Sequence, residues 1–100
     1  MCKKYSQTER DKSFSDLCKE IAELHRIKDA DYGGAFESCL DEFGLMHADA
    51  MLTHKVKRVK KIIEQKTINV SSESLKDTLL DLASYAIMTV GWIDFHNKEV

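Results

Sequence analysis

"SLKDTLLDLASYAIMTVGWI", residues 74–93, is the stretch that decides the fold. Its apolar residues recur at spacings of three, four and seven, which is the period of an α-helix with one apolar face. The residues of this face are Leu75, Leu79, Leu82, Ala83, Ala86, Val90 and Ile93. Ser71 or Ser72 can cap the helix, because a serine oxygen accepts a hydrogen bond from an unpaired amide of the first turn. We expect this helix to run to about His96.

Two further helical patterns precede this stretch. The longer one covers roughly residues 45–65, and its apolar stripe consists of Leu45, Ala48, Leu52, Val56, Val59 and Ile63. The shorter one covers Ala35–Phe43 and is separated from the longer by Gly44. The residues that we expect to point inward from the short helix are Phe36, Cys39 and Leu40.

The first helical pattern of the chain has Ser13 or Ser15 as its expected N-cap and should end near Lys28. Its apolar face consists of Phe14, Leu17, Cys18, Ile21 and Leu24. The sequence "DADYGG", residues 29–34, should then break the helix, because its two glycines can adopt positive φ angles.

These patterns predict an all-α fold, a small helical bundle of three long helices and one short helix. The chain has no proline, which is the residue that a helix interior tolerates least. We expect residues 1–11 to be a flexible N-terminus and residues 12–97 to form a single helical domain. The one strand candidate is "TINV", residues 67–70. Because three long helices leave apolar surface uncovered, we expect a homo-oligomer that completes the bundle.

Composition excludes several classes of protein. A net charge of −2 gives the molecule no field that would hold it to nucleic acid or to an acidic membrane. The longest apolar run is "YAIMTVGWI", residues 85–93, which is far shorter than the roughly 20 residues of a membrane span. The three cysteines, at positions 2, 18 and 39, match neither a disulfide framework nor a zinc pattern. We therefore expect a cytoplasmic protein without a membrane partner.

An acidic column runs along the last helix. Glu73, Asp77 and Asp81 are spaced four residues apart, so they lie above one another on one side of the helix, and Tyr85 continues the column. Magnesium prefers carboxylate oxygens together with water and substrate phosphates. The column therefore predicts a magnesium site, with a solvated acidic face as the alternative.

A basic stripe runs along the helix before it. His54, Arg58 and Lys61 share one face, and Lys57 lies beside them. Arg58 is the candidate for phosphate binding, because a guanidinium group forms two parallel hydrogen bonds with an anion. If these two helices are antiparallel, the stripe and the acidic column can pair or can flank a phosphate and metal site. A solvated basic face is the alternative, and the lack of interleaved aromatic residues in "KVKRVKK", residues 55–61, argues against nucleic-acid binding.

Three stretches resemble the nucleotide modification associated domain 1 family of phages and prophages. They are "KDADYGGAFESCLDEFG" at 28–44, "KVKRVKKII" at 55–63 and "SSESLKDTLLDLASYAIMTVGW" at 71–92. The family pattern falls on Lys28, Asp31, Tyr32, Gly33, Lys55, Arg58, Glu73, Asp77, Asp81 and Tyr85. The chain departs from the pattern at His54, where the family tends to have an acid.

The resemblance gives the stretch around residues 28–34 a ligand-binding interpretation. Lys28 would contact a phosphate, Asp31 would accept a hydrogen bond from a ribose or a base edge, and Tyr32 would stack on a base. Gly33 and Gly34 would let the backbone approach an anion. An ordinary turn is the alternative.

The last helix is also similar to that of the MazG-like all-α nucleotide pyrophosphohydrolases. Those enzymes hold magnesium with an E-x-x-E and an E-x-x-D motif on two helices. This chain has no E-x-x-D in its last helix, and only Glu20 and Glu23 could supply the other pair. If the protein is an enzyme, the resemblance makes Asp77 and Asp81 its candidate catalytic residues.

Three functions remain open, and the first two follow from these resemblances. The first is a phage-type protein that binds a small nucleotide in pockets of a helical oligomer and sequesters it in the host cytoplasm. The second is a magnesium-dependent nucleoside triphosphate pyrophosphohydrolase. The third is a protein-interaction module without a small ligand.

Overall fold

The computed structural model describes residues 4–65 and 73–98, and these form four helices with no strand among them. The helices are α1 (Gln7–Tyr32), α2 (Ala35–Phe43), α3 (Leu45–Glu64) and α4 (Glu73–Lys98). The predicted all-α fold of three long helices and one short helix is confirmed. The strand candidate at 67–70 and the predicted caps Ser71 and Ser72 lie outside the described residues. Within the described part of the chain, no helix is both long enough and apolar enough to span a membrane.

The chain divides into two compact units, Met1–Gly33 and Gly34–Val100. The first unit contains α1, and the second contains α2, α3 and α4. The single domain expected over residues 12–97 stays a prediction.

The predicted start of α1 is wrong. Ser6 caps the helix: its Oγ accepts a hydrogen bond from the amide of Glu9 at 3.0 Å, and the Glu9 carboxylate accepts one from the amide of Ser6 at 2.9 Å. This reciprocal pair is a capping box, so residues 7–11 are helical and the expected caps Ser13 and Ser15 lie inside the helix. The physical reason is that a reciprocal cap satisfies two unpaired amides, whereas a lone serine satisfies one.

The predicted end of α1 is also wrong. The helix continues past Lys28 to Tyr32, because nothing in the intervening sequence prevents helical φ and ψ angles. It stops at Gly33, whose φ of 61° is in the left-handed region and whose amide donates to the carbonyl of Asp29 at 2.8 Å.

Glycines separate α2 from its neighbours, as predicted. Gly34 before it and Gly44 after it both have a φ of 71°, which other residues rarely adopt. Of the residues expected to point inward, Phe36 and Leu40 are buried and Cys39 is half-buried. The predicted bounds of α2 are confirmed, and the bounds of α3 differ from the prediction by one residue at the C-terminal end.

The core of the second unit lies where α2 crosses α3 and α4. Phe36, Leu40 and Ala48 are its buried residues, and the half-buried side chains packed against them are Met51, Tyr85, Met88 and Trp92. The ring centroid of Phe36 is 4.9 Å from that of Tyr85. The indole N–H of Trp92 donates to a carboxylate oxygen of Asp41 at 2.8 Å. Apolar packing and one polar anchor thus tie α2 to α4.

Helices α3 and α4 are antiparallel. Lys55 contacts Asp81, and Arg58 contacts Thr78, so a step of three residues forward along α3 matches a step of three residues back along α4. An antiparallel pair is the arrangement in which the basic stripe and the acidic column were expected to come together.

The predicted apolar stripes of α3 and α4 are only partly covered. Ala48 on α3 and Leu75 on α4 are buried. The stripe residues that remain exposed are Leu45, Val56, Ile63, Leu79, Ala86 and Val90. Each stripe is therefore wider than the contact that its helix makes in this unit.

The substitution Leu40→Ala tests the core. Leu40 is fully buried, so we expect the change to lower the free energy of unfolding by about 2–5 kcal/mol through lost burial and a residual cavity. The matched control is Met46→Ala on the exposed start of α3, which should change it by only about 0.5 kcal/mol. Urea unfolding followed by circular dichroism measures both, and equal effects would contradict the assigned core.

The capping box of α1 makes a pH prediction. The hydrogen bond from the backbone of Ser6 lowers the pKa of Glu9 below its ordinary value of 4.5. Because the folded-state pKa is lowered, the ionised carboxylate stabilises the cap above pH 4.5, and this contribution is lost as the pH falls through the lower, folded-state pKa. We expect the amide proton resonance of Ser6 in NMR spectra to move with a midpoint below pH 4.5.

Two variants check that assignment. Glu9→Gln should abolish the pH-dependent shift of the Ser6 amide, because a glutamine does not titrate. Ser13→Ala should leave it unchanged, because Ser13 lies inside the helix. A midpoint at or above 4.5 in the parent protein would contradict the capping box.

Candidate functional site

A solvent-open groove runs between α3 and α4 in the second unit. Its first part has a volume of about 490 Å³ and is lined by His54, Lys55, Arg58, Ser74, Asp77, Thr78 and Asp81. Its second part, about 420 Å³, is lined by His54, Lys57, Arg58, Lys61, Ile62, Gln65 and Ser74. His54, Arg58 and Ser74 line both parts, so the two are continuous. Cavities of this size accommodate small-molecule ligands.

Arg58 is held in place by a relay of two hydrogen bonds. Its Nε donates to the hydroxyl oxygen of Thr78 at 3.2 Å, and the Thr78 hydroxyl donates to the carbonyl of Ser74 at 2.8 Å. Thr78 is buried, so its hydroxyl has a fixed direction. With Nε engaged, the edge formed by Nη1 and Nη2 is the part of the guanidinium group that can receive an anion.

Lys55 lies in the contact between α3 and α4, close to two other predicted site residues, Asp81 and Tyr85. Its Nζ is 3.5 Å from a carboxylate oxygen of Asp81 and 5.8 Å from the centre of the Tyr85 ring. The side chains of Lys55 and Asp81 are only 18% and 31% exposed. The Tyr85 ring packs against Phe36 and lies beside the Lys55 ammonium group. The ligand-binding roles expected of Lys55 and Tyr85 stay predictions.

Charge is unevenly distributed along the groove. Among the lining residues that the structure describes, Asp77 and Asp81 line the first part only, whereas Lys57 and Lys61 line the second. Arg58 lies between these two ends. An anion would therefore be attracted towards the second part, and a cation or a hydrogen-bond donor towards the first.

The predicted magnesium ligands are partly brought together. Asp77 and Asp81 line the same part of the groove, but the side chain of Glu73 lies outside the described residues. Among the side chains that the structure describes, no group of three or more histidine, cysteine, aspartate or glutamate residues is arranged to hold a metal ion. Two carboxylates fit the mode in which magnesium takes its other ligands from water and phosphate. Magnesium binding stays a prediction.

The predicted loop residues belong to the first unit. Lys28 and Asp31 are exposed in the last turns of α1, and Gly33 ends the helix. The side chain of Tyr32 lies outside the described residues. The ligand-binding roles of these four residues stay predictions.

Glu20 and Glu23, the pair that could supply a second set of metal ligands, both lie on α1. Glu23 forms an ion pair with Arg26 at 2.7 Å, and this hydrogen bond lowers the pKa of Glu23. The pair with Glu20 as a metal ligand set stays a prediction.

Thr78 was not among the site residues predicted from the sequence. Its position inside "SSESLKDTLLDLASYAIMTVGW", directly after Asp77, was the one available signal. A threonine on an amphipathic helix does not by itself indicate a binding site, because its hydrogen bond to a carbonyl four residues earlier is a common local contact. Only the approach of Arg58 gives its hydroxyl oxygen a second partner.

Comparison with known proteins assigns the family. No curated protein and no solved structure gives a significant match. The family model described as nucleotide modification associated domain 1 matches residues 28–91, which is more than half of the chain. The matched segment includes α2, α3, most of α4 and therefore the whole groove. The chain belongs to the nucleotide modification associated domain 1 family.

Proposed function

We propose that this protein binds a small nucleotide in the α3–α4 groove, with Arg58 as the main phosphate contact. The single observation that carries the proposal is the relay from Arg58 through Thr78 to the Ser74 carbonyl. A long cationic side chain normally loses conformational entropy when it binds an anion. The relay has already restricted Arg58, so less of this entropy is lost on binding, and the planar fork is already aimed.

The cations beside Arg58 support a ligand with several negative charges. Lys57 and Lys61 line the second part of the groove, where none of the lining residues that the structure describes is acidic. A phosphate group placed there would interact with these side chains at short range while Arg58 holds it by two parallel hydrogen bonds. A neutral ligand would gain nothing from this arrangement.

The carboxylates in the first part of the groove are suited to bind the sugar or the base of the nucleotide. Asp77 is exposed in the first part of the groove and can accept hydrogen bonds from hydroxyl or amino groups. Asp81 and Lys55 already contact each other, so they offer a paired donor and acceptor there. The groove thus has separate places for the anionic and the neutral parts of one nucleotide.

Binding without turnover is the first form of the proposal. A phage-type protein of this kind would sequester a nucleotide, or a signalling molecule derived from one, in the cytoplasm of the host. The nucleotide-related family supports a nucleotide as the ligand. The loop residues Lys28, Asp31, Tyr32 and Gly33 are proposed as further ligand contacts on the strength of the family motif alone.

Hydrolysis is the second form, and the observation that favours it is the position of Asp77 and Asp81 in one part of the groove. Bound Mg²⁺ would supply positive charge to the phosphates. One carboxylate would take a proton from the attacking water, whose oxygen forms a bond to the α-phosphorus. The bond between the α-phosphorus and the oxygen that links it to the β-phosphorus would then break. The products would be a nucleoside monophosphate and pyrophosphate.

The substitution Arg58→Ala tests nucleotide binding. Hydrogen bonds to charged groups contribute about 1.5–3 kcal/mol, which corresponds to an increase in Kd of about 10- to 150-fold. Calorimetric titration with a panel of nucleoside mono- and triphosphates measures the effect. Arg58→Lys should fall between the parent and the alanine variant, because it keeps the charge but loses the fork.

The matched control is Lys60→Ala, which removes a cation from α3 outside the groove lining. It should bind each nucleotide as the parent does, apart from a small long-range effect of charge. If Arg58→Ala and Lys60→Ala weaken binding equally, the groove is not the site. If the parent protein retains no nucleotide of the panel, the interaction-module function is supported instead.

The substitution Asp77→Asn separates binding from hydrolysis. The protein is incubated with nucleoside triphosphates with and without Mg²⁺ and then denatured, and the released compounds are identified by mass spectrometry. Unchanged nucleotide supports sequestration, whereas monophosphate and pyrophosphate support the enzyme. If the parent hydrolyses nucleotide, Asp77→Asn should abolish turnover, while Asp94→Asn, on the same helix outside the groove lining, should retain it.

A further inference from the structure

Helices α3 and α4 present an apolar surface that neither the core nor the groove uses. Its large side chains keep between 44% and 58% of their area exposed, and they are Leu45, Val56, Ile63, Leu79, Ile87 and Val90. Half-buried Leu52, Val59 and Ile93 belong to the same stripes. We call these residues the α3–α4 apolar surface.

The two stripes lie on the same side of the helix pair. On α3, two of the exposed residues directly follow residues that pack in the unit: Val56 follows Lys55, and Ile63 follows Ile62. One residue turns a helix by about 100°, so the stripe lies about a quarter turn beyond the packed face.

The same order holds on α4, where Leu79 follows buried Thr78 and Ala86 follows half-buried Tyr85. Because the two helices are antiparallel, an equal rotation about each axis turns both stripes to one side of the pair. The exposed residues therefore form one continuous surface.

This surface faces away from the groove. His54 and Arg58 are about half a turn from Val56 around α3, and Asp77 is nearly half a turn from Leu79 and Val90 around α4. An occupant of the apolar surface would therefore leave the groove open to a ligand.

The size of the surface points to a protein partner. Its exposed area is on the order of 500 Å², which is at the upper end of what monomeric proteins expose. It is more than half of the roughly 800 Å² that each partner buries in a standard interface. A surface of this size and composition would lower solubility unless it were covered.

We infer that the α3–α4 apolar surface binds the same surface of a second copy of this chain. The middle of the α4 stripe includes two small residues, Ala83 and Ala86, which allow two helices to approach more closely there. Asp49 and Lys60 lie at the edge of the α3 stripe on either side of Val56. A two-fold axis near Val56 would bring each of these charges towards its opposite in the partner, so the surface is complementary to itself.

The substitution Val90→Glu tests this inference. In a two-fold interface, one substitution places two carboxylates in the same apolar contact, so we expect the dissociation constant of the dimer to rise at least about 100-fold. Light scattering after gel filtration, over a range of protein concentrations, should find a mass of at least two chains for the parent and of one chain for the variant. Circular dichroism checks that the variant keeps its helices.

Three controls use equivalent substitutions at exposed apolar residues elsewhere. Met46→Glu and Phe95→Glu lie outside the α3–α4 apolar surface, and Leu17→Glu lies on α1. All three should keep the parent's mass. A monomeric parent, a Val90→Glu variant that still associates, or dissociation caused by Leu17→Glu instead of Val90→Glu would each overturn the inference.

The inference is independent of the proposed function. Because the surface faces away from the groove, monomeric Val90→Glu should titrate with nucleotide as the parent does, and Arg58→Ala should remain associated. Loss of binding in Arg58→Ala therefore reports on the groove alone, and loss of association in Val90→Glu reports on the apolar surface alone.

Discussion

The second unit depends on two polar contacts within an otherwise apolar helix pair. Lys55 meets Asp81, and Arg58 meets Thr78, in the middle of the contact between α3 and α4. A partly buried ion pair contributes little net stability, because the loss of hydration offsets most of the attraction. Its main effect is on the register of the two helices, since any shift would separate the half-buried charges of Lys55 and Asp81 from each other.

That register has a consequence for the groove. Lys55 and Asp81 keep 18% and 31% of their side chains exposed in this contact, and the open cleft lies beside them. The cations of α3 and the carboxylates of α4 line that cleft without all being paired with each other. A helix pair selected only for stability would place apolar side chains at positions 55, 58 and 81. Their charged character supports the proposal that this unit binds a ligand.

The same register explains the uncovered apolar stripes. The apolar stripe of each helix is wider than one neighbouring helix can cover. The polar contacts turn one flank of this stripe towards the partner helix. The other flank, with Val56 on α3 and Val90 on α4, is left exposed. The proposed ligand-binding groove and the proposed association surface thus both depend on the rotation of the helices about their own axes. The two sites occupy opposite sides of the pair, so each can be altered without the other.

The amino-acid sequence by itself determined the helices and most of their bounds. Helical periodicity and the glycines at 34 and 44 act over a few residues, so α2 and α3 could be read directly. The start of α1 was missed although Ser6 and Glu9 carry the capping-box spacing, because the serines at 13 and 15 stood closer to the apolar pattern.

Charge and spacing along the chain also made Arg58 and Asp81 candidate site residues, and the family resemblance added Lys55; their ligand-binding roles stay predictions. Tertiary structure alone decided the role of Thr78 and which flank of each apolar stripe is covered. The physical reason is that a helix has no preferred rotation about its own axis until a second helix packs against it. Hydrogen bonds and burial between distant residues then depend on that rotation, which no local pattern records.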